Sequence, residues 1–199
     1  MSFRPIQEGQ PLSPNTLNRY LANSSHVWKA TTSFSGTNAY NFLNVIDNST
    51  ATPTNPAFFT RVVISTVLAA SNTVLFIRLI DTAGTVVATN NYWIGYYGID
   101  SGGTARANGA APTSVFNVGD MGTYPASWTL DFFHLTGTGT QMTGYGATGI
   151  SSAAQWPAWV QAGGFCNYTA LPISGLQLLS FAAVNFSGKL SVYQQRRIT

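Results

Sequence analysis

The residues that could carry chemistry are few: six carboxylates (Glu8, Asp47, Asp81, Asp100, Asp120, Asp131), two imidazoles (His26, His134) and one thiol, Cys166. Catalysis requires such groups to converge, as a base beside a nucleophile or two acids across a cleft. Asp131 and His134 sit three apart in a strand-like run, so they project from opposite faces and form no dyad with each other. Asp131 reads as a sheet-surface acid and His134 as a half-buried ring. No spacing favours a glycosidase pair, and long-range pairing of Asp100 or Asp120 with another acid stays open.

A single cysteine leaves no intramolecular disulfide and no cysteine-based zinc site. Cys166 reads as a small buried hydrophobe, the alternative being a nucleophile for which neither imidazole has a recognisable context. There is no phosphate loop, no GxSxG elbow and no cluster of metal-ligand spacing. "GTGT" and "GYGATG" read as turns and bulges at strand ends. The expectation is a chain that is not an enzyme and needs no cofactor or metal.

Aromatic side chains offer binding chemistry instead. Trp156 and Trp159 flank Pro157, and Tyr96 and Tyr97 lie in "NNYWIGYYG". Such rings stack on sugars, and they equally fill cores and subunit interfaces. Trp156, Trp159, Tyr96 and Tyr97 are the candidate glycan- or receptor-binding residues. Asn-x-Ser/Thr occurs at Asn23, Asn48, Asn167 and Asn185, as expected by chance in a chain rich in Asn and Thr.

The elements that must position these residues are written in an unusual composition. Of 199 residues only 8% are charged and 45% are hydrophobic, against roughly 25% charged in ordinary soluble domains. Nine Lys and Arg against six Asp and Glu give a net charge of +3, and only Arg196 and Arg197 are adjacent. Scattered cations do not make the clustered patch that phosphate contacts require, which argues against nucleic acid. The longest apolar stretch, "VVISTVLAA", is interrupted by Ser65 and Thr66 and is too short to insert in a membrane. "MSFRPIQEGQ" has no apolar core, so no signal peptide is expected and synthesis is placed in a cytoplasm.

Ser13 as N-cap, Pro14 at the first helical position, and Leu17, Tyr20 and Leu21 on one face predict a short helix within 13–25. Beyond His26 the texture is β. Runs at 40–46, 58–68, 73–81, 85–90, 127–135, 141–149, 176–184 and 189–195 are rich in β-branched and aromatic residues. Turns such as "DTAG" and "NFSG" separate them. Strands joined by short turns predict an antiparallel β-sandwich, jelly-roll-like, of roughly eight to ten strands. In 73–81 both parities are apolar, with Leu75, Ile77 and Leu79 on one and Val74, Phe76 and Ile80 beside Arg78 on the other. The second face is therefore expected under a loop or against a neighbouring subunit. Stretches 96–127 and 151–175 read as long irregular segments where a binding surface could be built.

The order "YNFLNVID", "TRVVISTV", "VLFIRLIDTAGTVV" and "ISGLQLLSFAAVNFSGKLSVYQQRR" resembles a β-sandwich module of bacteriophage virion proteins, especially tail fibre and adhesin-like proteins. In that group strands resembling "lvisnv", "lrlRlstdgG" and a terminal "sGtisVYg" recur in this order. The matching positions are Val63 to Val67, Leu75 to Gly84 and Ser187 to Tyr193. The opening "FRPIQEGQPLSPNTLNRY" resembles the anchoring head of phage fibre proteins. The resemblance implies a structural virion subunit, trimeric as fibres of this kind usually are. Residues 1–30, with Pro5, Leu17, Tyr20 and Leu21, would anchor it to tail or capsid proteins, and a sandwich over 31–199 would face the host. It carries over no catalytic residue. A capsid decoration protein, or a lectin-like module binding host glycans, are the other readings.

Overall fold

A computed structural model describes residues 27–46, 59–88, 91–99, 105–135, 139–147 and 159–195. The described residues are all-β, with two antiparallel sheets around one core. The strands are β1 (Val27–Thr37), β2 (Ala39–Phe42), β3 (Phe59–Ala69), β4 (Thr73–Asp81), β5 (Tyr92–Ile99) and β6 (Ala105–Thr113). They continue as β7 (Phe116–Met121), β8 (Ala126–Leu135), β9 (Gly139–Ala147), β10 (Trp159–Cys166), β11 (Ile173–Ser180) and β12 (Phe186–Gln195). One sheet runs β1-β12-β3-β8-β9-β10-β5-β6 and the other β2-β11-β4-β7. The helix expected at 13–25 lies outside the described residues, which contain no helix.

The alternating pattern of β4 sets its inward side. Leu75, Ile77 and Leu79 are fully buried, as are Leu176 and Leu178 on β11 beside them. They meet Val62, Ile64, Trp128, Leu130 and Phe132 from the long sheet in one hydrophobic cluster. Aromatic edges lock the two ends. Phe34 meets Phe42 and Phe186 edge-on, and Tyr92 meets Phe116 at 87°. The Tyr92 hydroxyl donates to Val87 O at 2.7 Å and accepts from Leu79 N–H at 2.9 Å, which satisfies a buried phenol.

Three expectations are corrected. The segment 96–127 is not a loop: it holds the second half of β5 with β6, β7 and the start of β8, and 151–175 holds β10 and the start of β11. β6 is "ARANGAAPT", poor in β-formers, and lies at a sheet edge, with Pro112 falling in the register shift between Thr113 and Ala110. Its strand state is imposed by tyrosine-rich β5, with which it pairs from Tyr92 to Ile99. Of the strand expected at 85–90, the described part, 85–88, holds one bridge, Val86 opposite Ile80.

The glycines of "GYGATG" also differ from their expected role. Gly144 and Gly146 lie within β9, and a Cβ on Gly146 would overlap the Trp128 ring of β8. That indole fills the space above the neighbouring strand, so the sequence there has to be side-chain-free.

The turn after β4 is held by its own carboxylate. Asp81 Oδ1 accepts from Ala83 and Thr85 N–H at 2.9 Å, and Oδ2 accepts from Tyr168 O–H at 2.8 Å. Ser174 Oγ donates to Asp81 O at 2.9 Å. Gly84 follows with φ 81, a left-handed conformation that glycine adopts without penalty. The "DTAG" turn is therefore where the sequence placed it, tied to the segment before β11.

Candidate binding surfaces

Two outward faces remain, one on each sheet. On the four-stranded sheet the second parity of β4 carries Val74 and Phe76, half-buried, while Ile80 is fully buried and bridged to Val86 by its backbone. Leu179 of β11 lies opposite Phe76, and the Phe181 ring stands edge-on to Phe76 at 5.6 Å while 70% exposed. The second parity of β4 is thus buried at its Ile80 end, and the other end leaves apolar side chains at or near the surface. Further across, Gln177 Nε2 donates to Asn41 Oδ1 at 2.8 Å and Arg78 Nε to Ser114 O at 3.2 Å.

On the eight-stranded sheet the outward side is polar and aromatic. Register sets Trp28, Tyr193, Arg61 and Asp131 in one row across β1, β12, β3 and β8. Arg61 Nε and Nη2 reach Asp131 Oδ1 and Oδ2 at 2.7 and 2.9 Å. The Asp131 hydrogen bonds hold the Arg61 guanidinium above its ordinary value against the opposing effect of burial. Trp28 donates from Nε1 to Thr31 Oγ1 at 3.1 Å, and Thr31 shares a 2.8 Å hydrogen bond with Ser191.

Towards the far edge the same face carries Tyr145, 55% exposed, and Trp93 beside Phe165, with ring centroids 6.4 Å apart. Trp159 opens β10 opposite Ala147 and Ile99. Tyr97 pairs with Gln161, which is exposed, whereas Tyr96 pairs with Ala162, which is buried. Trp156, Pro5, Leu17, Tyr20 and Leu21 lie outside the described residues.

Sequence reasoning passed over Arg61, Trp93 and Tyr145. The signal was present for Arg61 and Asp131, each the only charged side chain in its strand and each on the parity opposite Val62 and Leu130. Their partnership was not legible, because they stand 70 residues apart.

The groups described on these faces offer hydrogen bonds, an ion pair and aromatic surface. Cys166 is fully buried, and burial pushes its thiol upward. Among the described residues no group of three or more His, Cys, Asp or Glu could hold a metal ion. No family model, curated protein or solved structure matches the chain.

Proposed function

We propose that the chain is a structural subunit of a bacteriophage particle, a tail fibre, spike or adhesin-like module that self-associates as a homotrimer and attaches through residues 1–30. The observation that carries this reading is the apolar outward side of the four-stranded sheet, where Val74, Phe76, Leu179 and Phe181 meet no cover within the described chain. Exposed apolar clusters of this kind mark contact surfaces. The low charge and the strand motifs that resemble virion sandwiches support the same reading. In it the two sheets form a jelly-roll-like sandwich that packs through one face and presents the other to the host.

Incorporation into particles tests the proposal. Tagged full-length chain should co-sediment with phage, whereas a chain lacking residues 1–25 should stay folded and remain in the supernatant. A truncated chain that still enters particles would contradict attachment through this segment. Localisation to tail or to capsid in fractionated particles separates the fibre reading from a decoration protein.

A second reading has its own support. Tyr145, Trp93 and Phe165 share the outward face of β9, β5 and β10, an arrangement suited to stacking on host glycans, and β5 and β10 also carry Tyr97 and Trp159. A glycan array on the isolated chain, repeated with Trp159→Ala and Tyr145→Ala, decides it. Silence on the array, or binding indifferent to both changes, rejects it.

A further inference from the structure

The edges of the two sheets are not alike. β1 and β6 end the eight-stranded sheet, and β2 and β7 end the four-stranded one. An edge strand offers unpaired N–H and C=O groups to any other strand, and folds guard against that with short strands, bulges or proline. β2 is four residues long, β6 carries Pro112 at a register shift, and β7 is broken at Gly119, φ 125. β1 is eleven residues long and contains no proline. Its register shifts fall at Trp28/Ala30 and Phe34/Thr37, which leaves Ala30 to Phe34 as a regular run without a charged residue.

Among the described residues β12 alone pairs with β1, and no backbone hydrogen bond leaves its far edge. Ala30, Thr31, Thr32 and Ser33 are exposed although they alternate between the two faces, and Phe34 alone of the run reaches the core. Adjacent β-branched Thr31 and Thr32 suit a strand with a neighbour on each side. A bare row of backbone donors and acceptors is complementary to one kind of partner, another extended strand.

The residues of β1 select a second copy of β1. Antiparallel pairing about a two-fold at Thr32 sets the whole regular run against itself, with Thr31 opposite Ser33 and Ala30 opposite Phe34. Just beyond, Trp28, 59% exposed, falls opposite Gly36, where an added Cβ would meet nothing within 4 Å. A large ring against an open glycine is a favourable cross-strand pair. Lys29, the only charged residue of the strand, falls opposite Ser35. Its two copies stand roughly 20 Å apart, so no like charges meet.

We infer that two copies of this chain join edge to edge through β1, so that their eight-stranded sheets run on as one. The inference does not depend on the virion reading or on the trimer, whose proposed contact lies on the other sheet. A ladder of this length is small beside the roughly 800 Å² per partner of a stable interface. The contact is therefore weak, and it fills at high concentration or where copies are held close together.

Sedimentation velocity on the full chain at about 10 μM and about 1 mM measures it. The unmodified chain should shift to larger species at the higher concentration. Thr32→Lys, a change at an exposed position, sets two ammonium groups against each other across the two-fold and should keep its low-concentration mass throughout. Thr32→Cys, oxidised at the higher concentration, should become a disulfide-linked dimer, because the register brings the two copies of that residue together. Lys29→Cys on the same strand should not, and the native Cys166 is buried. An unchanged mass for the unmodified chain overturns the inference, as does growth that persists in Thr32→Lys. Equal cross-linking of Thr32→Cys and Lys29→Cys overturns it too. None of these outcomes bears on particle incorporation or on the mass at low concentration.

Discussion

Arg61 and Asp131 face each other across the β3–β8 pair in a two-point ion pair, 2.7 and 2.9 Å, on the outward side of the long sheet. The pair has side-chain exposures of 32% and 17%, so solvent screens it in part. Its geometry is the strong form of a carboxylate–guanidinium contact, and its setting limits the gain to about 1 kcal/mol. A double-mutant cycle with Arg61→Ala and Asp131→Ala, read by urea unfolding, should return a coupling of that size that shrinks in high salt. A coupling indistinguishable from zero would mean that the two side chains do not meet in solution.

Gly146 should resist any side chain. Its added Cβ would press on Trp128, a fully buried ring with no room to retreat, so Gly146→Ala is expected to cost about 1–3 kcal/mol. Gly95 on the outward face is the internal control, since its nearest neighbour would be a carbonyl oxygen at 4.0 Å. Gly95→Ala should be neutral or slightly stabilising. Equal effects of the two changes in thermal melts would contradict the packing described for β8 and β9.

Asp81 should make the fold acid-sensitive. Burial alone would raise its carboxyl, but hydrogen bonds from Thr85, Tyr168 and Ala83 outweigh burial and hold it below the usual carboxylate range. A depressed folded value stabilises the native state fully above the unfolded pKa of about 4, and that contribution fades as pH falls through the folded value. Unfolding midpoints between pH 7 and pH 2 should therefore drop on the acid side. Asp81→Asn should lower stability at pH 7 and flatten the acid limb. An unchanged limb in that variant would assign the sensitivity to another group.

Much of this architecture is legible in the sequence, and the exceptions have a physical pattern. β3, β4, β8 and β12 announce themselves because they are dense in β-branched and aromatic residues with at least one strongly apolar parity. β6 and β10 do not, because "ARANGAAPT" and "WVQAGGFC" are small-residue runs whose strand state comes from β5 and β9 beside them. Tertiary pairing overrides weak propensity there. β1 carries Thr and Ser on its outer side and offered no apolar run. Of the outward faces, the parity of Arg61 and Asp131 could have been read from their strands, whereas their pairing could not, since 70 residues separate them.

The measurement that bears most directly on the proposed role is the solution mass of the purified full-length chain by light scattering, together with Phe181→Asp. A structural subunit that packs through the outward side of its four-stranded sheet should give about 64 kDa, three 21.3 kDa chains. Phe181→Asp, placing a charge on a ring 70% exposed in the single chain, should fall to monomer with its fold intact. A monodisperse 21.3 kDa species for the unmodified chain would contradict self-association through that face.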